Sequence, residues 1–281
     1  MKDYLVTTIA LVLLIFGASL IIDFEDLLYP PAIQQVIAPL LIITLVFRVF
    51  TNVQVPKLWF WAGIPLGITS SAICLLSLLY NMASADGFEQ QIACSLISLG
   101  YGLAASMLGR TFIGHKSSDA ADSKEDVPTA LKLFVGGAVL ACFLISTQSL
   151  IGLSGLLDPS AGLIVFSVLL LGTYKSRAGA RAEGVMSGFV FGSLACVFVG
   201  LVGYLFSGLD PRGLGPATAT GLLGIIYSGL GVVGATIFFQ TKELKQSSVE
   251  RKNWHLMEIY ALWVLMCFAP MSLRESFSFV N

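Results

Sequence analysis

Apolar runs alternate with short polar segments along the whole chain. Several of these runs approach the ~20 residues that a helix needs to cross the hydrocarbon core of a bilayer. Backbone groups in lipid must be hydrogen-bonded internally, so each run is predicted to be a membrane-spanning helix. The eight predicted spans are residues 4–22, 31–50, 58–81, 91–113, 131–155, 160–175, 184–208 and 217–240.

A shorter apolar stretch, residues 256–271, follows the last predicted span. Trp254 precedes it, and Tyr260 and Trp263 lie within it beside Glu258. Aromatic residues mixed with charge are typical of a helix that lies at the membrane surface. We predict an interfacial helix here, with a ninth span as the alternative.

The composition is that of an integral membrane protein: 56% of the residues are hydrophobic, 12% are charged, and the mean hydropathy is +0.85. The predicted fold class is therefore an all-α, polytopic membrane protein. The sequence has no phosphate-binding loop, nucleophile elbow or paired carboxylates, so we predict no enzyme, no catalytic residue and no cofactor. The cysteines lack metal-ligand spacing and are interpreted as small buried side chains: Cys74, Cys94, Cys142, Cys196 and Cys267.

Lysine and arginine are distributed unevenly between alternate loops. If the N-terminus is cytoplasmic, Arg212 lies outside, with Arg274 if the last stretch spans, and all other basic residues lie inside. This positive-inside pattern predicts a cytoplasmic N-terminus. The first span is interpreted as a retained helix because no Ala-x-Ala-like cleavage site follows it. The net charge of −1 gives no indication of a nucleic-acid partner.

The chain contains an internal duplication. A shift of 129 residues aligns 27–48 with 156–177 at nine identical positions out of 22, where chance would give ~2–3. A shift of 125 aligns Gly63 and Gly67 with Gly188 and Gly192. We predict two parallel four-helix repeats. Their bounds are residues 1–114 and 131–245, with a cytoplasmic linker at 115–130 and a C-terminal segment at 246–281.

Small residues recur at helical spacing in two predicted spans. In lipid, such a face lets a neighbouring backbone approach closely. We predict that these faces pack against another helix of the chain or a partner subunit, with pore lining as the alternative. They consist of Gly184, Gly188 and Gly192 in the seventh span, and Gly221, Gly224, Ser228, Gly231 and Ala235 in the eighth.

Few polar side chains lie inside the predicted spans. Thr44 and Thr173 are equivalent in the two repeats and are candidates for lining a passage, although a helical threonine also bonds its own preceding carbonyl. Gln34 and Gln35 are interpreted as interfacial, with hydrogen bonds across helices as the alternative. No ionisable side chain lies well inside the eight spans, so a proton path would need a carrier from a partner.

Two turn motifs carry a resemblance to a known family. Asp158-Pro159-Ser160 precedes the sixth span, and Asp-Pro-Arg-Gly-Leu-Gly-Pro at 210–216 precedes the eighth, which carries Leu222, Leu223 and Tyr227. Over residues 131–240 the chain resembles the flagellar stator A-subunit family (MotA/PomA), a relative of the TolQ and ExbB proton-channel subunits. The motif residues are Asp158, Pro159, Asp210, Pro211, Leu214, Gly215 and Pro216.

The resemblance implies a bacterial inner-membrane subunit that forms a homo-oligomer in the lipid around a single-span MotB/TolR/ExbD-like partner. In that family the partner's aspartate carries the proton. Here Gly224 and Ile225 replace the family's hydroxyl pair, and no large cytoplasmic domain follows the second helix. We therefore predict a channel-like subunit of an ion-driven complex with a degenerate proton path of its own. The alternative is a stand-alone parallel-repeat transporter of a small solute, or a membrane scaffold.

Overall fold

The fold is a bundle of long helices. The computed structural model describes residues 30–50, 55–80, 88–114, 127–175, 181–206 and 211–243, and residues 258, 259, 261, 262, 264 and 265 of the C-terminal segment. No strand occurs among these residues. We number the long helices α1 Pro30–Phe50, α2 Val55–Tyr80, α3 Phe88–Gly114, α4 Thr129–Leu150, α5 Pro159–Lys175, α6 Arg181–Phe206 and α7 Pro211–Glu243.

Six of these helices, all except α5, are long and apolar enough to cross a bilayer. α5 is apolar but has only 17 residues, which at ~1.5 Å per residue falls short of a ~30 Å hydrocarbon core. The predicted first span, residues 4–22, and linker residues 115–126 lie outside the described part of the chain. The prediction of an all-α, multi-pass membrane protein is confirmed, and the described residues contain six helices of spanning length.

α2 lies at the centre of the bundle, with 94% of its most apolar window buried. It packs along α3 of its own predicted repeat and along α7 of the other. α6 packs between α5 and α7. α2 and α7 therefore form the main contact between the two predicted repeats.

α2 and α3 touch through their backbones. A Cβ added to Gly102 would lie 2.5 Å from the Gly63 carbonyl oxygen and 2.6 Å from Gly67 Cα. Two turns further along α3, a Cβ on Gly109 would lie 2.6 Å from the Pro56 carbonyl oxygen. The glycines are needed here because no side chain fits between the two helices.

The aligned glycines of the second repeat serve a different interface. A Cβ on Gly188 would lie 2.9 Å from Leu169 Cα, and one on Gly192 would lie 3.0 Å from Val165 Cα, both on α5. In the first repeat the equivalent glycines face α3, the following helix. Residues that are equivalent in the duplicated sequence therefore do not have equivalent neighbours.

Most of the predicted turn at 210–216 is helical in the structure. α7 begins at Pro211, and its first turns include Leu214, Gly215 and Pro216. Asp210 lies outside the described residues. Proline is favoured at the first helical position because the missing N–H has no partner there anyway. The described part of the motif is thus the start of a helix.

Cys74 on α2 and Cys94 on α3 are joined as a disulfide, with Cα atoms 6.2 Å apart. Both cysteines are buried, as the sequence predicted, but their pairing was not predicted. No motif marks the pair, because the partners belong to different helices that only the fold brings together. Of the other cysteines in the described residues, Cys142 and Cys196 are free thiols.

Candidate intramembrane carboxylate site

A carboxyl side chain, Glu258, lies inside the bundle with 1% of its surface exposed. It belongs to the C-terminal segment, whose described residues are helical. Glu258, Ala261, Leu262 and Leu265 are buried, whereas Val264 is 43% exposed. The buried positions follow the i, i+3, i+4, i+7 spacing of one helical face. That face packs against the long helices.

Two serine hydroxyls hold the carboxyl group. Glu258 Oε1 lies 2.8 Å from Ser228 Oγ on α7 and 3.2 Å from Ser193 Oγ on α6. Both serines are buried and lie near the middle of helices of spanning length. The predicted interfacial position does not describe these residues of the segment. They occupy the groove between α6 and α7 at the central depth of the bundle.

Small residues on α7 make room for this segment. A Cβ on Gly221 would lie 3.2 Å from Leu265 Cδ1, and a Cβ on Gly224 would lie 2.9 Å from Cys196 Sγ. Larger side chains at these positions would separate α7 from α6 and from the C-terminal segment. The groove exists because the facing positions are glycine and serine.

The remaining small residues also lie against other parts of this chain. The Gly184 carbonyl oxygen would be 2.7 Å from a Cβ on Gly172 of α5, and Gly231 lies against the Phe189 ring. Ala235 is buried beside α6 in a small apolar cluster. In the described structure, each predicted small-residue face therefore has an intramolecular neighbour.

Glu258 was not among the predicted site residues because it lies outside the eight predicted spans. One signal was present: a single carboxyl side chain within the apolar stretch 256–271. An ionisable residue in an apolar stretch is a candidate functional residue when that stretch lies inside the bundle. Its partners, Ser193 and Ser228, lie 65 and 30 positions away along the chain.

A second, uncharged polar cluster joins α1, α2, α3 and α4. Gln35 is fully buried at a π-helical turn, Ile33–Ile37. Its amide nitrogen donates to Ser146 Oγ at 2.8 Å, and its amide oxygen lies 2.7 Å from Ser70 Oγ. Ser70 Oγ is also 2.9 Å from Ser98 Oγ. The interfacial interpretation of Gln35 is wrong, and the alternative of hydrogen bonds across helices describes it.

The two threonines that were candidates for lining a passage donate their hydroxyls to carbonyl oxygens of the preceding turn. Thr44 donates to the Leu40 carbonyl oxygen at 2.7 Å and accepts from Trp59 Nε1 at 2.6 Å. Thr173 donates to the Leu170 carbonyl oxygen at 2.9 Å. Such bonds to the preceding turn are common for helical threonine. Neither residue belongs to the groove that contains Glu258.

The Asp158 turn is tied to α7 by Tyr227. The Tyr227 hydroxyl donates to the Leu156 carbonyl oxygen and accepts from the Asp158 backbone N–H at 3.1 Å. Asp158 Oδ1 accepts from the Ser160 backbone N–H at 2.9 Å, which makes Asp158 the N-cap of α5. The Asp158 turn and Tyr227, which are far apart in the sequence, thus contact each other in space.

Removing this cap is expected to cost about 1 kcal/mol of stability at neutral pH in Asp158→Ala. Partial burial alone would raise the pKa of Asp158, but hydrogen bonds from Ser160 and Ala161 lower it overall. A lowered pKa means that the contribution is present above the unfolded-state pKa and is lost as the pH falls through the folded-state value. Thermal midpoints in detergent should therefore differ at neutral pH and converge in acid. Asp158→Asn, which keeps a cap acceptor, should stay near the parent, and equal midpoints for the alanine variant at neutral pH would contradict the prediction.

Within the described residues, no group of three or more His, Cys, Asp or Glu side chains is placed to hold a metal ion. Among the described residues, Glu258, Ser193 and Ser228 bring one carboxyl group and two hydroxyls together in the groove. No protein-family model matches the chain, and no curated protein or solved structure is significantly similar to it. The stator-family resemblance therefore depends on the motif residues themselves.

Proposed function

We propose that this membrane protein is an ion-translocating subunit in which Glu258 binds the moving cation. The observation that carries the proposal is the position of Glu258 between Ser193 and Ser228, at mid-depth of two helices of spanning length. A charged side chain at the centre of a bilayer costs at least ~3 kcal/mol. Ionisable residues placed there commonly mark ion pathways.

The stator-family resemblance enters this proposal with one change. In that family a single-span partner supplies the carboxyl group, whereas here the C-terminal segment of the same chain supplies one. Gly224 and Ile225 lack the family's hydroxyls, but Ser228 lies one turn further along α7 and contacts Glu258. The chain thus carries its own candidate ion carrier. A homo-oligomer and a separate single-span partner remain part of the wider hypothesis.

The proposed location is a bacterial inner membrane with the N-terminus in the cytoplasm. The distribution of basic residues supports this topology. Under it, the Cys74–Cys94 disulfide lies towards the outer end of α2 and α3. Disulfides persist on that side of the membrane, where conditions are oxidising.

The experiment that tests this function is ion flux into liposomes that contain the purified full chain. Under an imposed potential, the parent should carry protons or Na⁺ faster than empty liposomes, and Glu258→Gln should reduce the flux to that background. Glutamine keeps the side-chain shape and accepts the same hydroxyl hydrogen bonds, so folding should be retained. Glu183→Gln, the same chemical change in the first turn of α6, serves as the matched control. Parent flux at background, or unchanged flux in Glu258→Gln, would refute the function.

The transporter alternative has its own supporting observation. The Gln35 cluster joins α1, α2 and α3 of the first predicted repeat to α4 of the second, next to a π-helical turn. π-turns occur frequently at functional sites, and polar residues between repeats are typical of transporters. If this alternative holds, uptake of a small polar solute should be lost in Gln35→Leu and retained in Glu258→Gln.

A further inference from the structure

We infer that a phospholipid with a primary ammonium headgroup binds at the Asp158 end of α5. Its site is an apolar surface that we call the α5 notch, with Asp158 at its base and Val199, Gly203 and Phe206 of α6 along its side. The ammonium group contacts the Asp158 carboxylate, and the acyl chains lie along the exposed face of α5. The inference does not depend on Glu258 or on ion translocation.

α6 extends well beyond α5 at this end of the pair. Contacts between the two helices begin where a Cβ on Gly172 would lie 2.7 Å from the Gly184 carbonyl oxygen. They reach as far as Cys196, whose Sγ lies 3.6 Å from the Ala161 carbonyl oxygen. α5 begins only half a turn before Ala161. α6 continues from Cys196 to Phe206, which is ~15 Å of further helix.

The face of α6 that packs on α5 is exposed beyond the end of α5. Gly192 and Cys196 face α5, and helical spacing places Val199, Gly203 and Phe206 on the same side of α6. Val199 is 47% exposed and Phe206 is 88% exposed. A Cβ on Gly203 would meet nothing within 4 Å. The α5 notch is therefore an open apolar continuation of the interface between α5 and α6.

The length of α5 brings lipid headgroups to the notch. Its 17 residues span ~25 Å, whereas the hydrocarbon core of a bilayer is ~30 Å thick. A bilayer accommodates a short apolar helix by thinning locally. Leu163, Phe166 and Leu170 are exposed on α5, so acyl chains can cover them while a headgroup lies at the level of Asp158.

The exposed face of α5 fits acyl chains better than a partner helix. Helices pack closely in lipid through small residues, which let the two backbones approach. The small residue Gly172 of α5 is already used against α6. The side chains that remain exposed are large and apolar, as at Leu163, Phe166 and Leu170. We therefore assign this surface to lipid.

Asp158 determines which headgroup fits. Its Oδ1 accepts hydrogen bonds from the Ser160 backbone N–H and hydroxyl, and among the described residues no basic side chain interacts with it. Lys132 is far from this turn, because its Nζ donates to the Phe238 carbonyl oxygen near the end of α7. A primary ammonium group brings a positive charge and three N–H donors. A trimethylammonium group has no N–H donor, and an anionic headgroup would be repelled.

Native mass spectrometry of the full chain tests the inference. The protein in detergent is incubated with equal amounts of phosphatidylethanolamine and phosphatidylcholine that carry the same acyl chains. The parent should retain phosphatidylethanolamine about two- to fivefold more than phosphatidylcholine, the ratio expected for one ion pair near a surface. Asp158→Asn should remove the preference, because asparagine keeps a cap acceptor but not the charge.

Three controls separate the charge, the notch and the free headgroup. Glu183→Gln removes a carboxylate at the opposite end of α6 and should keep the preference. Gly203→Phe fills the notch and should reduce retention of both lipids, whereas Gly137→Phe on α4, where a Cβ also meets nothing within 4 Å, should not. Phosphoethanolamine without acyl chains should not displace the bound lipid.

Several results would overturn the inference. The parent would retain the two lipids equally if the headgroup were not recognised. A preference that survives in Asp158→Asn would show that this carboxylate does not bind the ammonium group. Displacement by free phosphoethanolamine, or unchanged retention in Gly203→Phe, would mean that the apolar notch is not part of the site. A bound polypeptide in place of lipid would assign the surface to a partner helix.

Discussion

Gly102→Ala is expected to destabilise the bundle by about 3 kcal/mol, at the upper end of the usual cost of overpacking. Its methyl group would meet the Gly63 carbonyl oxygen at 2.5 Å and Gly67 Cα at 2.6 Å. Both are backbone atoms, which cannot rotate out of the way as a side chain can. α3 must therefore move away from α2, the central helix, and loosen packing along its length.

Thermal unfolding in detergent checks this prediction. The midpoint should fall by roughly 5–10 °C, from the usual relation between free energy and midpoint for a chain of this size. Gly100→Ala is the matched control on the same helix, because a Cβ there meets nothing within 4 Å. Its effect should be neutral or slightly stabilising, since alanine restricts the unfolded chain more than glycine does. Equal midpoints for the two variants would show that the α2–α3 contact is not as close as described.

Gly221→Leu is expected to abolish the Glu258 site without altering any residue of it. A Cβ at this position already lies 3.2 Å from Leu265 Cδ1 and 3.4 Å from Val197 Cα. A leucine side chain fills the space that the C-terminal segment occupies. The segment should leave the groove, and Glu258 should lose its contacts with Ser193 and Ser228.

Hydrogen–deuterium exchange measures this displacement. Amides of residues 258–265 should lose protection in Gly221→Leu, and the variant should reproduce the ion flux of Glu258→Gln. Gly234→Leu places the same side chain on the same helix at a position where a Cβ meets nothing within 4 Å. It should keep both protection and flux. Retained protection in Gly221→Leu would mean that the segment does not depend on the small-residue face.

The helices were predictable because each one must satisfy its own backbone hydrogen bonds in lipid and therefore needs its own apolar run of sequence. The predicted spans that fall on described residues agree with the observed helices within a few residues at most ends. The span predicted at 131–155 ends early, at Leu150, because Gly152 adopts a positive φ of 74° that breaks the helix. Apolar composition continues across this break, so hydropathy did not reveal it.

Packing partners were much less predictable. The small-residue faces could be found from spacing, but spacing does not say which helix fills them. Gly67 and Gly192 are aligned in the duplication, yet the first faces α3 and the second faces α5. Close packing depends on the shapes of both partners, and the two repeats differ in the side chains around these glycines.

The sequence by itself determined that this is a membrane protein, that its class is helical, and where its small residues lie. These are local properties, set by hydropathy and spacing over about 20 consecutive residues. Only the tertiary structure decided that a segment outside the eight predicted spans enters the α6–α7 groove and brings Glu258 to Ser193 and Ser228. These partners are 65 and 30 positions away, and their contact depends on how several helices fit together, which no local pattern encodes.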